Sequence, residues 1–230
     1  MKLEASVMRS FPLFADLSES DFNRVAAFGV PRLVQTDSCV FEQGESATHF
    51  YFLVSGRLKV TQISSDGQQI IVRMVNPGDI FGFAKALQRE DYPGTSTAVL
   101  DSVVVAWPVS LWRPLIQSCP HLAISTLNTI GSRLEEAHTR IREMSTQEVE
   151  QRIAQTLLRL IKCAGRKDKE GIKIDFPLSR QDLAEMTGST LHYVSRILSA
   201  WEGQNIIWSG RRKIVVLDTE RLRNAAMGRT

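Results

Sequence analysis

Between Leu127 and Met144 six apolar residues, Leu127, Ile130, Leu134, Ala137, Ile141 and Met144, recur at spacings of 3, 4, 3, 4 and 3. This is the a/d seam of a coiled coil, and it predicts one helix of roughly 25 residues after Pro120. An amphipathic helix commonly packs on its own domain. This stripe is narrow, however, and Arg133, Glu135, Glu136, Arg140, Arg142 and Glu143 surround it, which favours a parallel partner helix from a second copy of the chain. A helix of that length separates what lies on either side of it. The chain therefore divides into residues 1–118, a dimerisation helix over 119–146 and a C-terminal part over 147–230.

The part before the seam has a different texture. Ser18 can cap a short helix from Glu19 to Phe28, stopped by Gly29 and Pro31. From there to Pro108, short β-rich runs alternate with turn signals. Cys39-Val40-Phe41 precedes Gln43-Gly44, and Phe50 to Val54 precedes Ser55-Gly56. Leu58 to Ile63 precedes Asp66-Gly67, Ile70 to Val75 precedes Asn76-Pro77-Gly78-Asp79, and Ala98 to Trp107 follows. Strands so regularly spaced fit an antiparallel roll or barrel. Turn spacing alone also fits a small β-sandwich.

The part after the seam opens with a helical pattern from Gln147 to Lys162 and a charged loop, Ala164 to Gly171. Ser179-Arg180-Gln181-Asp182 then has the form of a capping box, in which Ser179 accepts from the third amide and Asp182 reaches back. The helix it opens ends at Thr187-Gly188, and Ser189-Thr190 cap a second, Leu191 to Trp201, closed by Gly203. Two helices joined by a tight glycine-containing turn form a helix-turn-helix, whose second helix can enter a DNA major groove. On that helix Leu191, Val194, Ile197 and Leu198 form the expected buried stripe. His192, Tyr193, Ser195 and Arg196 fall outside it, and Arg196 is the best candidate for bidentate contact with guanine.

Behind the second helix, Asn205 to Trp208 and Lys213 to Leu217 read as a hairpin with Arg211, Arg212 and Lys213 at its tip, a wing suited to phosphate contact. Arg180, Ser189 and Thr190 complete the candidate DNA-binding set. Charge follows the same division. Residues 1–146 carry 13 Lys+Arg against 15 Asp+Glu, whereas 147–230 carry 15 against 10, so a net +5 sits on the part with the helix-turn-helix.

Other classes fit poorly. Cys39, Cys119 and Cys163 have no paired spacing, so neither a disulfide framework nor a metal cluster is indicated. No apolar run approaches the roughly 20 residues of a membrane span, and Met1 to Ser10 lacks a signal-peptide pattern, which leads to the expectation of a soluble cytoplasmic protein that makes no membrane contact. A metal-dependent enzyme built on the β-domain would need His and carboxylate clusters on facing strands; these strands supply only His49. The chain is not expected to be an enzyme.

With these residues in hand, the chain resembles the cyclic-AMP-receptor/fumarate-nitrate-reduction (CRP/FNR) superfamily of transcription regulators. Phe41 to Glu45, Phe50 to Gly56, Asp66-Gly67 and Pro77 to Gly82 follow the family's β-roll in order, and Ser179 to Arg196 follow its helix-turn-helix. The fold this implies is α+β: an N-terminal antiparallel β-roll of the cyclic-nucleotide-binding type, a long dimerisation helix and a C-terminal winged helix-turn-helix. The implied partners are a second copy of the chain, RNA polymerase, and double-stranded DNA carrying a TTG…CAA-like palindrome.

The departures bear on the signal. Cyclic-nucleotide-binding members place a Glu after the glycine at Gly82 and an Arg-Ser or Arg-Ala pair further on. Here those places hold Phe83 and Gly94-Thr95, which offer neither a ribose acceptor nor a phosphate clamp, and this disfavours cyclic AMP. An iron–sulfur cluster is disfavoured by the lack of an N-terminal cysteine group. The stretches Phe81 to Leu87 and Asp91 to Thr95 resemble the nitric-oxide-responsive regulators of denitrification genes. That resemblance implies haem as a sensing group, although no residue pattern makes a cofactor evident; His49, His121, His138 and Tyr92 are the candidate axial ligands. His49, Phe83 and Tyr92 form the candidate signal site. A constitutive or differently triggered regulator of the same family, with no bound cofactor, is the alternative. His192 stands where the family usually has a Glu that accepts from cytosine, so readout at that base pair should differ.

Overall fold

The structure is a computed structural model describing residues 5–84 and 88–229, so Lys85, Ala86 and Leu87 of the Phe81 to Leu87 stretch lie outside the described residues. The chain forms two compact units, Met1–Asp66 with Val72–Glu135, and Gly67–Ile71 with Glu136–Thr230.

The first unit begins with three short helices, α1 (Ala5–Arg9), α2 (Pro12–Ala15) and α3 (Glu19–Ala27). Ser18 caps α3 by accepting from the Asp21 amide at 3.1 Å. Strands β1 (Val30–Val34), β2 (Cys39–Phe41), β3 (His49–Ile63), β4 (Gln69–Val75), β5 (Ile80–Phe81) and β6 (Thr95–Pro108) form one antiparallel sheet, followed by α4 (Trp112–Ser118). Its centre is the β3–β6 ladder, which runs from His49↔Pro108 to Thr61↔Thr95. β1 pairs the other edge of β6, from Val30↔Ala106 to Val34↔Ser102.

The apolar run Phe50 to Val54 has both faces buried, and the period of two along the strand distributes it between two cores. Phe50, Phe52 and Val54 join Trp107, Phe14, Phe22 and Leu115 beneath the helices. Tyr51 and Leu53 join Phe41, Phe81, Tyr92 and Val104 inside the roll. Trp107 Nε1 donates to the Val25 carbonyl at 2.8 Å, anchoring the sheet to α3.

Ser55-Gly56, which reads in sequence as a turn, is instead a bulge within the continuous strand β3. The ladder shifts register three times between Leu53 and Leu58. Gly56 has φ +89°, and a Cβ there would run into the Asp101 carbonyl and Ser102. The Arg57 amide donates to Ser102 Oγ at 3.0 Å. A glycine with positive φ serves a bulge as well as a turn, so composition could not separate the two.

The long helix α5 spans Pro120–Thr146, 27 residues. Of the seam residues, Leu127 is 66%, Leu134 56%, Ile141 62% and Met144 52% exposed, with Ile130 and Ala137 also exposed; Ile124 extends the stripe by one turn. Exposed apolar rows on this scale commonly mark interaction surfaces.

The second unit continues with α6 (Val149–Ala164), opened by a Glu148–Gln151 capping box. Then come β7 (Gly165–Lys167), β8 (Ile172–Ile174), α7 (Arg180–Thr187), α8 (Leu191–Gly203), β9 (Ile207–Gly210), β10 (Lys213–Val216) and α9 (Thr219–Ala226). The four strands pair in the order β7-β8-β10-β9. The stretch expected as a charged loop thus contributes an edge strand, with Arg166 opposite Lys173. Leu157, Leu183, Val194, Leu198, Val216 and Leu222 are fully buried between helices and sheet.

Candidate nucleic-acid interface

The capping box that opens α7 forms as the residue types require. Ser179 Oγ accepts from the Asp182 amide at 3.0 Å, and Asp182 Oδ2 accepts from the Ser179 amide at 2.9 Å. Gly188, at φ +59°, ends α7 in the left-handed conformation. Thr190 caps α8, accepting from the Tyr193 amide at 3.3 Å, while Ser189 lies half-buried in the turn.

The buried stripe of α8 is Val194, Leu198 and Trp201, and the Trp201 indole donates to Glu150 Oε1 at 2.9 Å. Leu191, expected in that stripe, is 47% exposed, and Ile197 is half-buried. Leu191 is the first residue of α8, beyond the reach of the core that its helical spacing to Val194 suggests. It stands beside exposed His192, Tyr193 and Arg196, so the first turns of α8 present an imidazole, a phenol, a guanidinium and an aliphatic side chain together. The Arg196 guanidinium carbon lies 4.6 Å from the centre of the Tyr193 ring, a cation–π contact that holds an otherwise flexible side chain in place. Ser195 is half-buried, and its carbonyl accepts from Arg180 at 3.4 Å.

Arg180 is employed differently from its expected DNA contact. Its guanidinium donates to both Glu202 carboxylate oxygens at 3.3 Å, to Ser209 Oγ at 3.0 Å and to Ser199 Oγ at 3.3 Å, which draws it into the domain. It ties α7 to α8 and β9. A helix-opening arginine in sequence does not reveal this, because Glu202 and Ser209 lie 22 and 29 residues away.

At the wing, Lys213 pairs with Gly210 across a two-residue turn of Arg211 and Arg212, both exposed. Arg212 has φ +54°, and its carbonyl accepts from the Leu178 amide at 3.1 Å. Lys213 Nζ lies 5.0 Å from the centre of the Trp208 ring. Leu191 and Trp208 were not among the sequence candidates. The signal for Leu191 was its position directly after the cap; for Trp208 it was an aromatic residue on the outward side of a hairpin next to three cations.

The last turns of α5 and the first turn of α6 meet this motif directly. Arg140 donates to the Met186 carbonyl and, at 3.5 Å, to the Glu185 carbonyl, while Arg152 Nε donates to the Thr187 carbonyl at 3.0 Å. These are carbonyls of the C-terminal turn of α7, where a cation is favoured. Met144 packs on Gly188, close enough that a Cβ there would sit 3.0 Å from the Met144 methyl group. Burial, then the Arg159 guanidinium, hold Arg140 below the ordinary arginine range, opposed by Glu143.

The three signal-site candidates do not converge as a set. The Tyr92 hydroxyl donates to the His49 carbonyl at 2.7 Å and accepts from the His49 amide at 3.1 Å, and its ring stacks on Phe41 at 3.9 Å. With its oxygen doubly engaged and the residue 2% exposed, Tyr92 does not fit an axial haem ligand. His49 Nδ1 lies 2.9 Å from Thr48 Oγ1; burial and, secondarily, the Arg32 guanidinium lower the imidazole pKa below 6.5. Phe83 belongs to the other core, against Phe50 and Trp112. His121 and His138 are exposed on α5. Among the described residues no group of three or more His, Cys, Asp or Glu could hold a metal ion, and no helix is long and apolar enough to cross a membrane. Asp79, just before β5, forms a 2.6 Å ion pair with Arg133 of α5.

Comparison with known proteins agrees with this geometry. Residues 31–119 match the cyclic nucleotide-binding domain family, and residues 151–225 match the Crp-like helix-turn-helix domain family. The chain is 24% identical to the cyclic AMP receptor protein of Thermus thermophilus, covering 96% of this chain and 99% of that protein. It is 27% identical to the global nitrogen regulator of Synechocystis, covering 85% and 89%. The solved structure of a CRP-family transcriptional regulator from Thermus thermophilus superposes with a TM-score of 0.75 at 25% identity, covering 86% of this chain and 97% of that one. The β-roll and the winged helix-turn-helix thus match in order on one polypeptide, and the chain belongs to the CRP/FNR family of DNA-binding transcription regulators.

Proposed function

We propose that this regulator works as a homodimer joined through Leu127, Ile130, Leu134, Ala137, Ile141 and Met144. On this reading it binds a palindromic TTG…CAA-like operator with its two α8 helices, half-sites about one helical turn apart. The observation that carries the reading is the exposed first turns of α8, where Arg196 is held on Tyr193 beside His192. Arg196 reads guanine, and His192, Tyr193, Ser195, Ser189 and Thr190 supply the remaining base and phosphate contacts. Arg211, Arg212 and Lys213 meet phosphates. RNA polymerase is the partner in the cytoplasm.

The signal path runs through α5. Asp79 passes a change in the roll to Arg133, and Arg140, Arg152 and Met144 pass a change at the seam to the end of α7 and Gly188. Two dimer states that differ in seam packing therefore present α8 differently. A signal selects between them through its differential affinity.

The finer reading is activation of nitrogen-oxide metabolism genes in response to nitric oxide. It is supported by the resemblance of the 81–95 region to such regulators and by Phe83 standing where a ribose acceptor would be needed for cyclic AMP. If haem is the sensing group, His49, His121 and His138 are the candidate ligands that the internal hydrogen bonds of Tyr92 leave. The close stacking of Phe41 on Tyr92 in the roll interior favours a second reading, a family member that responds to another signal or to none.

Gel shift of anaerobic protein with a TTG…CAA duplex and a scrambled duplex, before and after haem loading and nitric oxide, separates these readings. Specific binding only after treatment supports the gas-sensing reading. Specific binding by the untreated protein supports the second reading, and equal binding to both duplexes refutes the operator.

A further inference from the structure

Trp208 is the exposed tryptophan of the chain, at 45%, whereas Trp107 and Trp201 are buried and Trp112 is half-buried. An indole left open to water on a four-residue strand calls for a reason, and its neighbours supply one. Across the hairpin Trp208 stands opposite Val215, and Gly210 opposite Lys213. Side chains alternate along a strand, so Trp208, Val215 and Lys213 share one face, while Ser209 points to the other and joins the Arg180–Glu202 network. The hairpin is thereby fastened to α7 and α8 on one side, with the indole on the opposite side.

The indole also folds along the strand towards the turn. A Cβ on Gly210 would sit 2.8 Å from its six-membered ring, so the glycine leaves the space that the ring occupies. The Lys213 ammonium is drawn to the ring at 5.0 Å, and Arg211 and Arg212 follow at the tip. Between Trp208 and Lys213 the hairpin contains three cations and no carboxylate. A polyanion that brings a flat apolar surface beside each charge complements this surface, and the DNA backbone, with a deoxyribose next to every phosphate, has that chemistry.

We infer that Trp208 is a DNA-contacting residue of the wing: its indole packs against a deoxyribose while it positions Lys213 on the adjacent phosphate. The inference rests on the DNA-binding assignment of the winged helix-turn-helix and is independent of the operator sequence, because sugar and phosphate are common to all duplexes. It makes the wing a mixed apolar and ionic contact.

The test uses the full chain and two labelled 30-base-pair duplexes, one with the TTG…CAA palindrome and one scrambled, at low salt. Duplex anisotropy reports binding and tryptophan emission reports Trp208. Wild type is expected to show an emission change with either duplex that is absent in Trp208→Phe. Trp208→Ala is expected to bind both duplexes about tenfold more weakly, with Trp208→Phe restoring most of that loss. Lys213→Ala should keep the emission change and lower the salt dependence by about one ion for each operator half. Thermal melts of each variant show whether the wing has unfolded, and Trp208→Phe serves as the folded variant if alanine is not tolerated. Binding with wild-type emission no different from that of Trp208→Phe overturns this inference alone. Failure to bind either duplex overturns the DNA-binding assignment together with it.

Discussion

Arg212 occupies a conformation that its side chain disfavours. At φ +54° it sits in the left-handed region, where a residue with a Cβ costs about 1–2 kcal/mol relative to the right-handed form. Replacing it by glycine removes that strain and adds back about 0.5–1 kcal/mol of chain entropy in the unfolded state. Arg212→Gly also gives up an interaction that the arginine makes, so the fold is expected to stay within about 0.5 kcal/mol of wild type, seen as a nearly unchanged urea midpoint. On DNA the change is not neutral. The variant loses one cation at the tip, so the slope of log affinity against log salt should fall by about 0.9 for each operator half, with palindrome and scrambled duplex affected alike. Titrations at four salt concentrations, run beside urea melts of the same preparations, measure both quantities. A variant that is destabilised by more than about 1 kcal/mol and keeps the wild-type salt slope would refute the reasoning, since Arg212 would then serve the hairpin and not the phosphate.

Leu134→Glu places a charge in the middle of the exposed seam and should convert the dimer to a folded monomer in sedimentation experiments, with loss of palindrome binding; a dimer of unchanged affinity would move the interface elsewhere. Arg196→Ala should cost about 1–3 kcal/mol of discrimination at one base pair, and Tyr193→Ala a smaller loss at the same base pair, measured by competition with single-site operator variants. The folded-state pKa of His49 lies below the 6.5 of the unfolded chain, so its contribution to stability is present above pH 6.5 and is lost as pH falls through the lowered value. His49→Gln should therefore flatten the decline of the thermal midpoint below pH 6.5, and an unchanged profile would show that other groups cause that decline.

Local rules were the most legible part of the sequence. The Ser179–Asp182 capping box and the Leu127 to Met144 stripe depend on spacings of three or four residues within one helix, and both could be read without a tertiary context. Where two distant segments decide, the reading failed. Gly56 forms a bulge because Asp101 and Ser102 approach it from another strand, and Arg180 turns inward because Glu202 and Ser209 are brought to it by the fold. Leu191 follows the periodicity of its helix but lies past the end of the surface that helix covers. The signal site suffered most from this limit. His49, Phe83 and Tyr92 are grouped by resemblance, yet the loop between β5 and β6 carries Phe83 to one core and Tyr92 to the other.

The central ladder also governs how this protein folds. β3 and β6 join residues 34 to 59 positions apart, and β1 reaches from Val30 to Ala106, so the roll gains little from any contact until nearly half the chain is present. The helix-turn-helix closes through α7 and α8, neighbours in sequence joined by a three-residue turn. Contacts over such short separations form fast, and those of the roll wait on loop closure. Refolding from denaturant should therefore show helix recovery in the second unit before Trp107 is buried in the first. On the ribosome the order is imposed from the other end: the sheet can close once Trp107 has emerged, while the helix-turn-helix is still to be synthesised.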